Sequence, residues 1–276
     1  MTSVTARGDG ATPPALPTPP AKGGGSGEFV QSLARGLDVI TAFDAEHREL
    51  TLSEVAKRAG LTRATARRFL HTLLTLGYAR QHDQRFALTP RVMRLGYAFL
   101  SGLPLADIAQ PHLKGLSTHL GESTSVSVLD GPDILYIARV QTHRIMATAI
   151  PVGTRFPAYA TSMGRVLLAH LPPPQLDSYL ATTPLEPLTR HTLTDPQDLR
   201  AELTRVRAQG YAVADQQLAL GLRSVALPLR DEGEVVAAIN CSMPVHDGRT
   251  PHSPQTLVEA LGGAAALIEE ELAMIR

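Results

Sequence analysis

Basic side chains are concentrated between residues 57 and 68 of this 276-residue chain. The segment contains no acidic residue and carries Lys57, Arg58, Arg63, Arg67 and Arg68. Arginine suits nucleic acid, because its planar guanidinium binds phosphate oxygens or the O6 and N7 atoms of guanine. The whole chain has a net charge of zero, so affinity for a polyanion has to come from a local cluster. We interpret the cluster as a DNA-binding surface, with a solvated basic face on a helical bundle as the alternative.

Helices and tight turns are predicted around this cluster. Apolar residues at helical spacing predict a first helix over residues 32–43. A second helix is predicted over residues 52–59, with Thr51 or Ser53 as its N-cap. Gly60 is placed to end that helix in left-handed geometry, so a tight turn should follow it.

A third helix should present the basic side chains to DNA. Thr62 is its expected N-cap, Gly77 its expected end, and two short strands of a hairpin follow at residues 78–80 and 85–88. This order is that of a winged helix-turn-helix, whose third helix enters the major groove with its N-terminal part. The predicted DNA-contacting residues are Ser32, Arg35, Thr62, Arg63, Ala64, Thr65, Arg67, Arg68, Arg80 and Arg85.

The predicted contacts divide into two kinds. Base contacts are expected from Arg63, Thr65 and Arg67, near the start of the third helix. Phosphate contacts are expected from Arg68, Ser32 and Arg35 and from the wing residues Arg80 and Arg85. Such contacts position the protein but carry no sequence information.

From residue 122 onward the pattern changes to mixed α/β. Turn signals at Asp130-Gly131 and at residues 230–233 join neighbouring strands as hairpins, so we expect a largely antiparallel sheet. A helix over residues 106–120 is predicted to be interrupted near Pro111. Predicted strands cover residues 123–129, 134–140, 146–151, 211–214, 224–229 and 235–243, and predicted helices cover residues 162–170, 174–180, 198–209 and 256–275.

A loop rich in small residues runs from Gly153 into a helix expected to begin at Thr161 or Ser162. Free backbone N–H groups and the helix dipole favour an anion at a helix start, and a carboxylate is a natural ligand there. Phe156 and Met146 would supply an apolar wall. The alternative is a capped helix with a buried loop and no ligand.

No arrangement of residues indicates catalysis. Cys241 stands in an apolar strand, where a cysteine is usually a small core residue. The ten histidines lack the spacing of a metal site. Residues 161–164 lack the Gly-x-Ser-x-Gly elbow of serine hydrolases. We therefore predict no catalytic residue, no metal and no cofactor.

Length and composition set the domain organisation. With 276 residues, of which 43% are hydrophobic, the chain should form about two domains. Residues 1–27 are rich in Pro, Gly and Ala, and we expect a disordered tail. The single cysteine excludes a disulfide framework, and no apolar run approaches the ~18 residues of a membrane span. We expect a cytoplasmic protein with domains at residues 28–90 and 121–276, joined by a helical linker at residues 91–120.

Three motifs in the second half of the chain resemble the IclR family of bacterial transcription regulators. They are Gly-Thr-Arg-Phe-Pro-Ala at 153–158, Thr-Ser-Met-Gly-Arg at 161–165 and Gly-Leu-Arg-Ser at 221–224. The resemblance covers residues 29–276. It is strongest to the branch of the PcaR, PcaU and PobR regulators, through residues 29–37, 61–69, 144–146 and 156–164.

This resemblance implies an α+β protein: a winged helix-turn-helix, a helical linker and a C-terminal effector domain of GAF- or profilin-like fold. Members of the branch respond to aromatic acids or their ring-cleavage products, such as p-hydroxybenzoate, protocatechuate or β-ketoadipate. Many members have a glutamate where this chain has Gln217, and its loss would make the pocket less anionic. The effector residues implied by motif, with the two apolar wall residues, are Met146, Phe156, Ala160, Thr161, Ser162, Asp215, Leu222, Ser224, Asn240 and Ser242.

We therefore expect a regulator of aromatic catabolism genes that responds to a small organic acid. It should bind a palindromic double-stranded DNA operator as a homodimer or tetramer, without a membrane partner. Two alternatives stay open: an enzyme acting on a small carboxylic acid, and a ligand sensor that acts on a protein partner instead of DNA.

Overall fold

The computed structural model describes residues 29–44, 46–100, 104–142, 150–246 and 248–275. The chain divides into two compact units, with the division between Leu95 and Gly96. The expected N-terminal tail and the predicted pocket residue Met146 lie outside the described residues.

The first unit contains three helices and a three-stranded antiparallel sheet. Helices α1, α2 and α3 cover Gln31–Thr41, Leu52–Arg58 and Arg63–Thr75. The strands β1, β2 and β3 cover Leu50–Thr51, Ala79–His82 and Arg85–Leu88, in the order β1-β3-β2. Val39, Val55, Leu70 and Phe86 are among the buried residues that join the helices to the sheet.

Helix ends in this unit follow from local hydrogen bonds. Thr51 and Glu54 form a reciprocal capping box at the start of α2. The Thr62 hydroxyl accepts a hydrogen bond from the Thr65 N–H at 3.2 Å and so begins α3. Gly60 and Gly77 follow α2 and α3 with φ of 62° and 75°, a conformation that favours glycine. The predicted helix-turn-helix and hairpin are confirmed.

Two details of the first unit differ from the sequence prediction. Helix α1 ends at Thr41 instead of residue 43, and Val30 precedes it without a side-chain cap. Strand β1, which pairs with β3 through Leu50 and Phe86, was not predicted. A two-residue strand is too short to show the alternation from which strands are recognised. A short 3₁₀ turn, Pro90–Val92, leads into helix α4, Met93–Leu100.

The second unit is built on a six-stranded sheet in which all pairs are antiparallel. The strands are β4 Ser123–Asp130, β5 Asp133–Val140, β6 Arg155–Pro157, β7 Ala212–Asp215, β8 Leu222–Asp231 and β9 Glu234–Pro244, in the order β6-β5-β4-β9-β8-β7. Hairpin turns after Asp130 and Asp231 join β4 to β5 and β8 to β9. The predicted antiparallel sheet and the α+β fold class are confirmed.

Helices cover both faces of this sheet. Helix α5, Pro104–Leu120, and helix α9, Pro254–Met274, bury one face in a core with Val126, Ile239 and Met243. On the other face, α6, Ser162–Ala169, lies against the strands. Helices α7, Pro173–Thr182, and α8, Pro196–Gln209, contribute to the same second core. The sheet therefore separates two hydrophobic cores.

One prediction for the second unit is wrong. Helix α5 continues through Pro111 without interruption. Burial of Leu105, Ala109 and Leu113 along that helix outweighs the missing hydrogen bond and the ring crowding at the proline. The strand predicted at residues 146–151 lies mostly outside the described residues, and its last two residues are not in a strand. The edge strand β6, three residues long, was missed.

Candidate nucleic-acid interface and ligand pocket

The start of α3 presents exposed basic side chains. Arg63, Arg67 and Arg68 are exposed, and none of the ion pairs among the described residues involves them. Ala64 is exposed beside them, and Thr65 is half-buried. Exposed guanidinium groups without carboxylate partners are available to an incoming anion, as a nucleic-acid contact requires.

Two neighbouring residues, Arg58 and Thr65, form contacts within the first unit. The Nε atom of Arg58 donates to the Ala42 carbonyl at 2.6 Å, and its Nη2 atom contacts Asp44 at 2.5 Å. Arg58 therefore fastens α2 to the residues after α1. The hydroxyl groups of Thr62 and Thr65 lie 2.9 Å apart, so Thr65 participates in the cap of α3.

Wing arginines contact the loop that precedes β1. Arg80 Nη2 lies 3.3 Å from Glu49 Oε1, and Arg85 Nη1 donates to the Glu49 carbonyl at 3.3 Å. Arg80 is 62% exposed, and an exposed ion pair of this kind contributes little to stability. Breaking this ion pair, so that Arg80 could bind a phosphate, would therefore cost little free energy. On α1, Ser32 is exposed and Arg35 is half-exposed.

A cavity lies between the two residues that precede α6, Ala160 and Thr161, and the strands of the second unit. A water-sized sphere can reach about 20 Å³ of it, so a ligand larger than a water molecule has to widen the cavity. Tyr136 of β5 forms part of its wall, and Ser224 and Ser242 face each other across β8 and β9. The full lining is Tyr136, Ala160, Thr161, Ala214, Leu218, Leu222, Ser224, Asn240 and Ser242.

Most of the residues predicted for the pocket meet at this cavity. Ala160, Thr161, Leu222, Ser224, Asn240 and Ser242 all line it. Although these residues are distant in sequence, the antiparallel register of β8 and β9 brings the serines and the asparagine onto one face. Hydroxyl and amide groups therefore lie beside apolar side chains, which is the usual composition of a small-molecule site.

Three other predicted residues do not line the cavity. Ser162 is fully buried and donates a hydrogen bond to Ser224 Oγ at 2.9 Å. Phe156 packs edge-to-face on Tyr136, with 5.9 Å between the ring centres. Asp215 forms an ion pair with Arg223 at 2.6 Å. Hydrogen bonds from Arg223 hold the pKa of Asp215 below its usual value, against the opposing effect of burial.

Sequence reasoning missed Tyr136, Ala214 and Leu218 as lining residues. Tyr136 could not be found from alternation along β5, because residues 134–138 are all aliphatic or aromatic and no polar position alternates with them. Ala214 and Leu218 carry no chemical signal of their own. Only their position beside the other strands reveals their role.

Helix α6 starts where the sequence placed it. Thr161 precedes its first residue, and the Thr161 hydroxyl accepts from the Gly164 N–H at 3.0 Å. The other N–H groups of a first helical turn have no partner within the helix. Gly164 is required by packing, since a Cβ atom there would lie 2.1 Å from the Ala158 carbonyl oxygen. The first turn of α6 thus lies directly on the backbone of the preceding loop.

Arg165, on the same helix, is a buried charge. Its Nε atom donates to the Tyr159 carbonyl at 2.9 Å, its Nη2 atom bonds Gln217 Oε1, and its Nη1 atom lies 3.6 Å from Glu202. Burial lowers the pKa of Arg165 to about 10, and the charge of Glu202 opposes this shift. Gln217 therefore accepts a hydrogen bond from Arg165. It is absent from the cavity lining, which corrects the expectation that it tunes the charge of the pocket.

Two observations on the described residues concern metal binding and nucleophilic chemistry. No group of three or more His, Cys, Asp or Glu side chains there is arranged to hold a metal ion. Cys241 is fully buried in the α5–α9 core, and burial raises the pKa of its thiol to about 12. Within the described residues, no helix is both long and apolar enough to span a membrane.

Both units match models of one protein family. The IclR helix-turn-helix domain matches residues 32–83, and the C-terminal domain of bacterial IclR transcriptional regulators matches residues 97–269. The chain therefore belongs to the IclR family of transcriptional regulators, and its first unit is a DNA-binding helix-turn-helix domain.

Three similar proteins indicate which members of the family this chain resembles. The Pca regulon regulatory protein of Pseudomonas putida is 47% identical over 231 residues, which cover 83% of this chain and 79% of that protein. The p-hydroxybenzoate hydroxylase transcriptional activator of Acinetobacter baylyi is 34% identical, over 78% of this chain and 81% of that protein. The crystal structure of an IclR homologue from Microbacterium hydrocarbonoxydans, complexed with 4-hydroxybenzoate, superposes with a TM-score of 0.79 at 29% identity and covers 88% of this chain and 100% of that chain.

Proposed function

We propose that this IclR-family regulator senses a small organic acid, either an aromatic acid or a product of its ring cleavage, in the cavity beside α6 and controls genes of aromatic catabolism. The observation that carries the proposal is the cavity itself, where the ring of Tyr136 and the apolar Leu222 lie beside Ser224, Asn240 and Ser242. An aromatic ring suits the apolar wall, and its polar substituents suit the hydroxyl and amide groups. The regulator names of the two relatives and the 4-hydroxybenzoate held by the homologue support this choice.

For the first unit, we propose that α3 reads the operator. Arg63, Thr65 and Arg67 are assigned to bases, and Arg68 to phosphate together with Ser32, Arg35, Arg80 and Arg85 at the flanks. The exposure of the α3 arginines supports a contact with DNA. A homodimer or tetramer in the cytoplasm would present paired α3 helices to a palindromic site.

The acid would act by changing the population of conformations that bind DNA. A ligand shifts such an equilibrium only by the difference in its affinity for the two states. Coupling of this kind is reciprocal, so operator DNA should change the affinity for the acid by the same factor. We place the helical linker, residues 91–120, between the domains at 28–90 and 121–276 as the route of this coupling.

The test is a gel shift with the DNA upstream of the protein's own gene, titrated with 4-hydroxybenzoate, protocatechuate and β-ketoadipate. We expect a shifted band whose midpoint moves with the concentration of at least one acid. A protein that shifts no DNA at any acid concentration contradicts the operator assignment. A protein that binds DNA but responds to none of the acids contradicts the sensing assignment.

A further inference from the structure

Arg139, near the end of β5, lies beside the cavity although no sequence pattern selected it. It is in register with Ser125 on β4, and Ser125 is in register with Asn240 on β9. Residues paired across neighbouring strands point to the same face of a sheet, and Asn240 lines the cavity. The side chain of Arg139 therefore stands on the cavity face.

The guanidinium of Arg139 contacts one residue of the cavity wall and one residue on the neighbouring strand β4. Its Nη1 atom donates to Ser125 Oγ at 3.0 Å, and its Cζ atom lies 5.7 Å from the centre of the Tyr136 ring. Tyr136 is itself a lining residue. The guanidinium thus borders the aromatic part of the cavity and is held there by a hydrogen bond and a cation–π contact.

One edge of this guanidinium has no acceptor. Within the described part of the chain, the Nε atom of Arg139 is buried and has no hydrogen-bond partner. The Nη2 atom forms no hydrogen bond with the described residues either. The Nε and Nη2 atoms together form the edge that binds a carboxylate through two parallel bonds. A buried polar atom without a partner is uncommon in folded proteins and indicates a missing partner.

The charge of Arg139 is also unmatched. Arg155, Arg165 and Arg223 each form an ion pair with an aspartate or glutamate, whereas the ion pairs of the described residues include none with Arg139. Burial lowers the pKa of the Arg139 guanidinium, with only a weak opposing effect from Tyr136. A half-buried cation of this kind is stabilised by any anion that reaches it.

We propose that Arg139 binds the carboxylate of the effector through its Nε and Nη2 edge. The assignment rests on the proposed function, since it names the group with which the same cavity holds its acid. The ring of a bound aromatic acid would then lie along Tyr136, with its other substituents towards the serines and Asn240. Arg139 is a specificity-determining residue that selects acids over neutral analogues of the same shape.

Isothermal titration calorimetry on the full-length protein tests this assignment with an acid and its amide. 4-Hydroxybenzamide has the ring and hydroxyl of 4-hydroxybenzoate but carries no charge. We expect the wild type to prefer the acid. Arg139→Gln should weaken acid binding by about 10- to 100-fold, the range expected for a charged hydrogen-bonded pair, and leave amide binding nearly unchanged.

A matched control removes a different arginine from the same sheet. Unlike Arg139, Arg155 pairs with two aspartates, Asp130 and Asp133. Arg155→Gln should keep the wild-type preference for the acid. Arg139→Lys retains the charge without the planar fork, and we expect an intermediate acid affinity.

The outcomes separate this assignment from the proposed function. If the wild type binds none of 4-hydroxybenzoate, protocatechuate and β-ketoadipate, the proposed function fails and the assignment fails with it. If the wild type binds an acid and Arg139→Gln keeps the full preference over the amide, only the assignment is overturned. Should Arg139→Gln melt early without ligand, Arg139→Lys decides, because an acid affinity equal to wild type in that variant excludes a paired contact.

Discussion

The exposed basic start of α3 and the cavity beside α6 use polar side chains in opposite ways. The arginines of α3 stand in solvent without carboxylate partners, whereas the polar groups around the cavity are mostly buried and bonded to one another. An exposed cation needs little support from the fold. A buried polar group needs a partner fixed in place, since desolvation without a hydrogen bond is unfavourable. Substitutions should therefore change binding in the first region, and folding as well as binding in the second.

The largest expected effect is at the buried arginine of α6. Arg165→Met should lower the free energy of unfolding by about 3–5 kcal/mol, because the Tyr159 carbonyl loses its side-chain donor and Gln217 and Glu202 each lose a buried partner. Urea denaturation followed by circular dichroism measures this change. The control is Arg200→Met, at an exposed ion pair with Asp177, which we expect to change stability by less than about 1 kcal/mol. Equal losses of unfolding free energy in the two variants would contradict the expected difference between a buried and an exposed charge.

The close approach of α6 to the preceding loop is the next point to test. Gly164→Ala should cost about 2–3 kcal/mol, because the new Cβ overlaps the Ala158 carbonyl oxygen and the backbone must move. The same denaturation experiment applies. Gly263, within α9, has open space where a Cβ atom would lie, with no atom within 4 Å, so Gly263→Ala should be neutral or stabilising by up to about 1 kcal/mol. A Gly164→Ala variant with unchanged stability would show that the loop can move away from the helix without cost.

On the DNA side, Arg67→Ala should weaken operator binding by about 1–3 kcal/mol while affecting random DNA less. Arg68→Ala should weaken both and lower the slope of log K against log salt by about 1, as expected when one phosphate contact is lost. Fluorescence anisotropy over a salt series measures both quantities. Neither change should alter the melting temperature, because both side chains are exposed. Identical behaviour of the two variants would remove the division into base and phosphate contacts.

The smallest effect is expected at Gln217. Gln217→Glu would give Arg165 a second carboxylate and raise the free energy of unfolding by about 1–2 kcal/mol at neutral pH. Arg165 would hold the pKa of the new carboxylate below the unfolded value of about 4.3, so the gain is present above that pH and disappears as the pH falls through the native pKa. Denaturation at pH 7 and pH 3 checks the sign. A gain that persists at pH 3 would have another origin.

Local features of the molecule were predictable to the residue. Thr62 begins α3 and Gly60 follows the end of α2, because a cap depends on neighbours within a few residues. The hairpin at Asp130-Gly131 was recognisable for the same reason. The interruption at Pro111 was predicted wrongly, since tertiary burial of α5 overrode a local preference.

The amino-acid sequence by itself determined the helix-turn-helix and its exposed basic face, because helical periodicity and capping act over one or two turns. It also marked the start of α6. Only the tertiary structure decided which side chains form the cavity, since the register of antiparallel strands brings Tyr136, Ser224 and Asn240 together from distant segments. The same register set Arg139 beside that cavity without a carboxylate, and long-range packing joined Arg165 to Gln217 and Glu202.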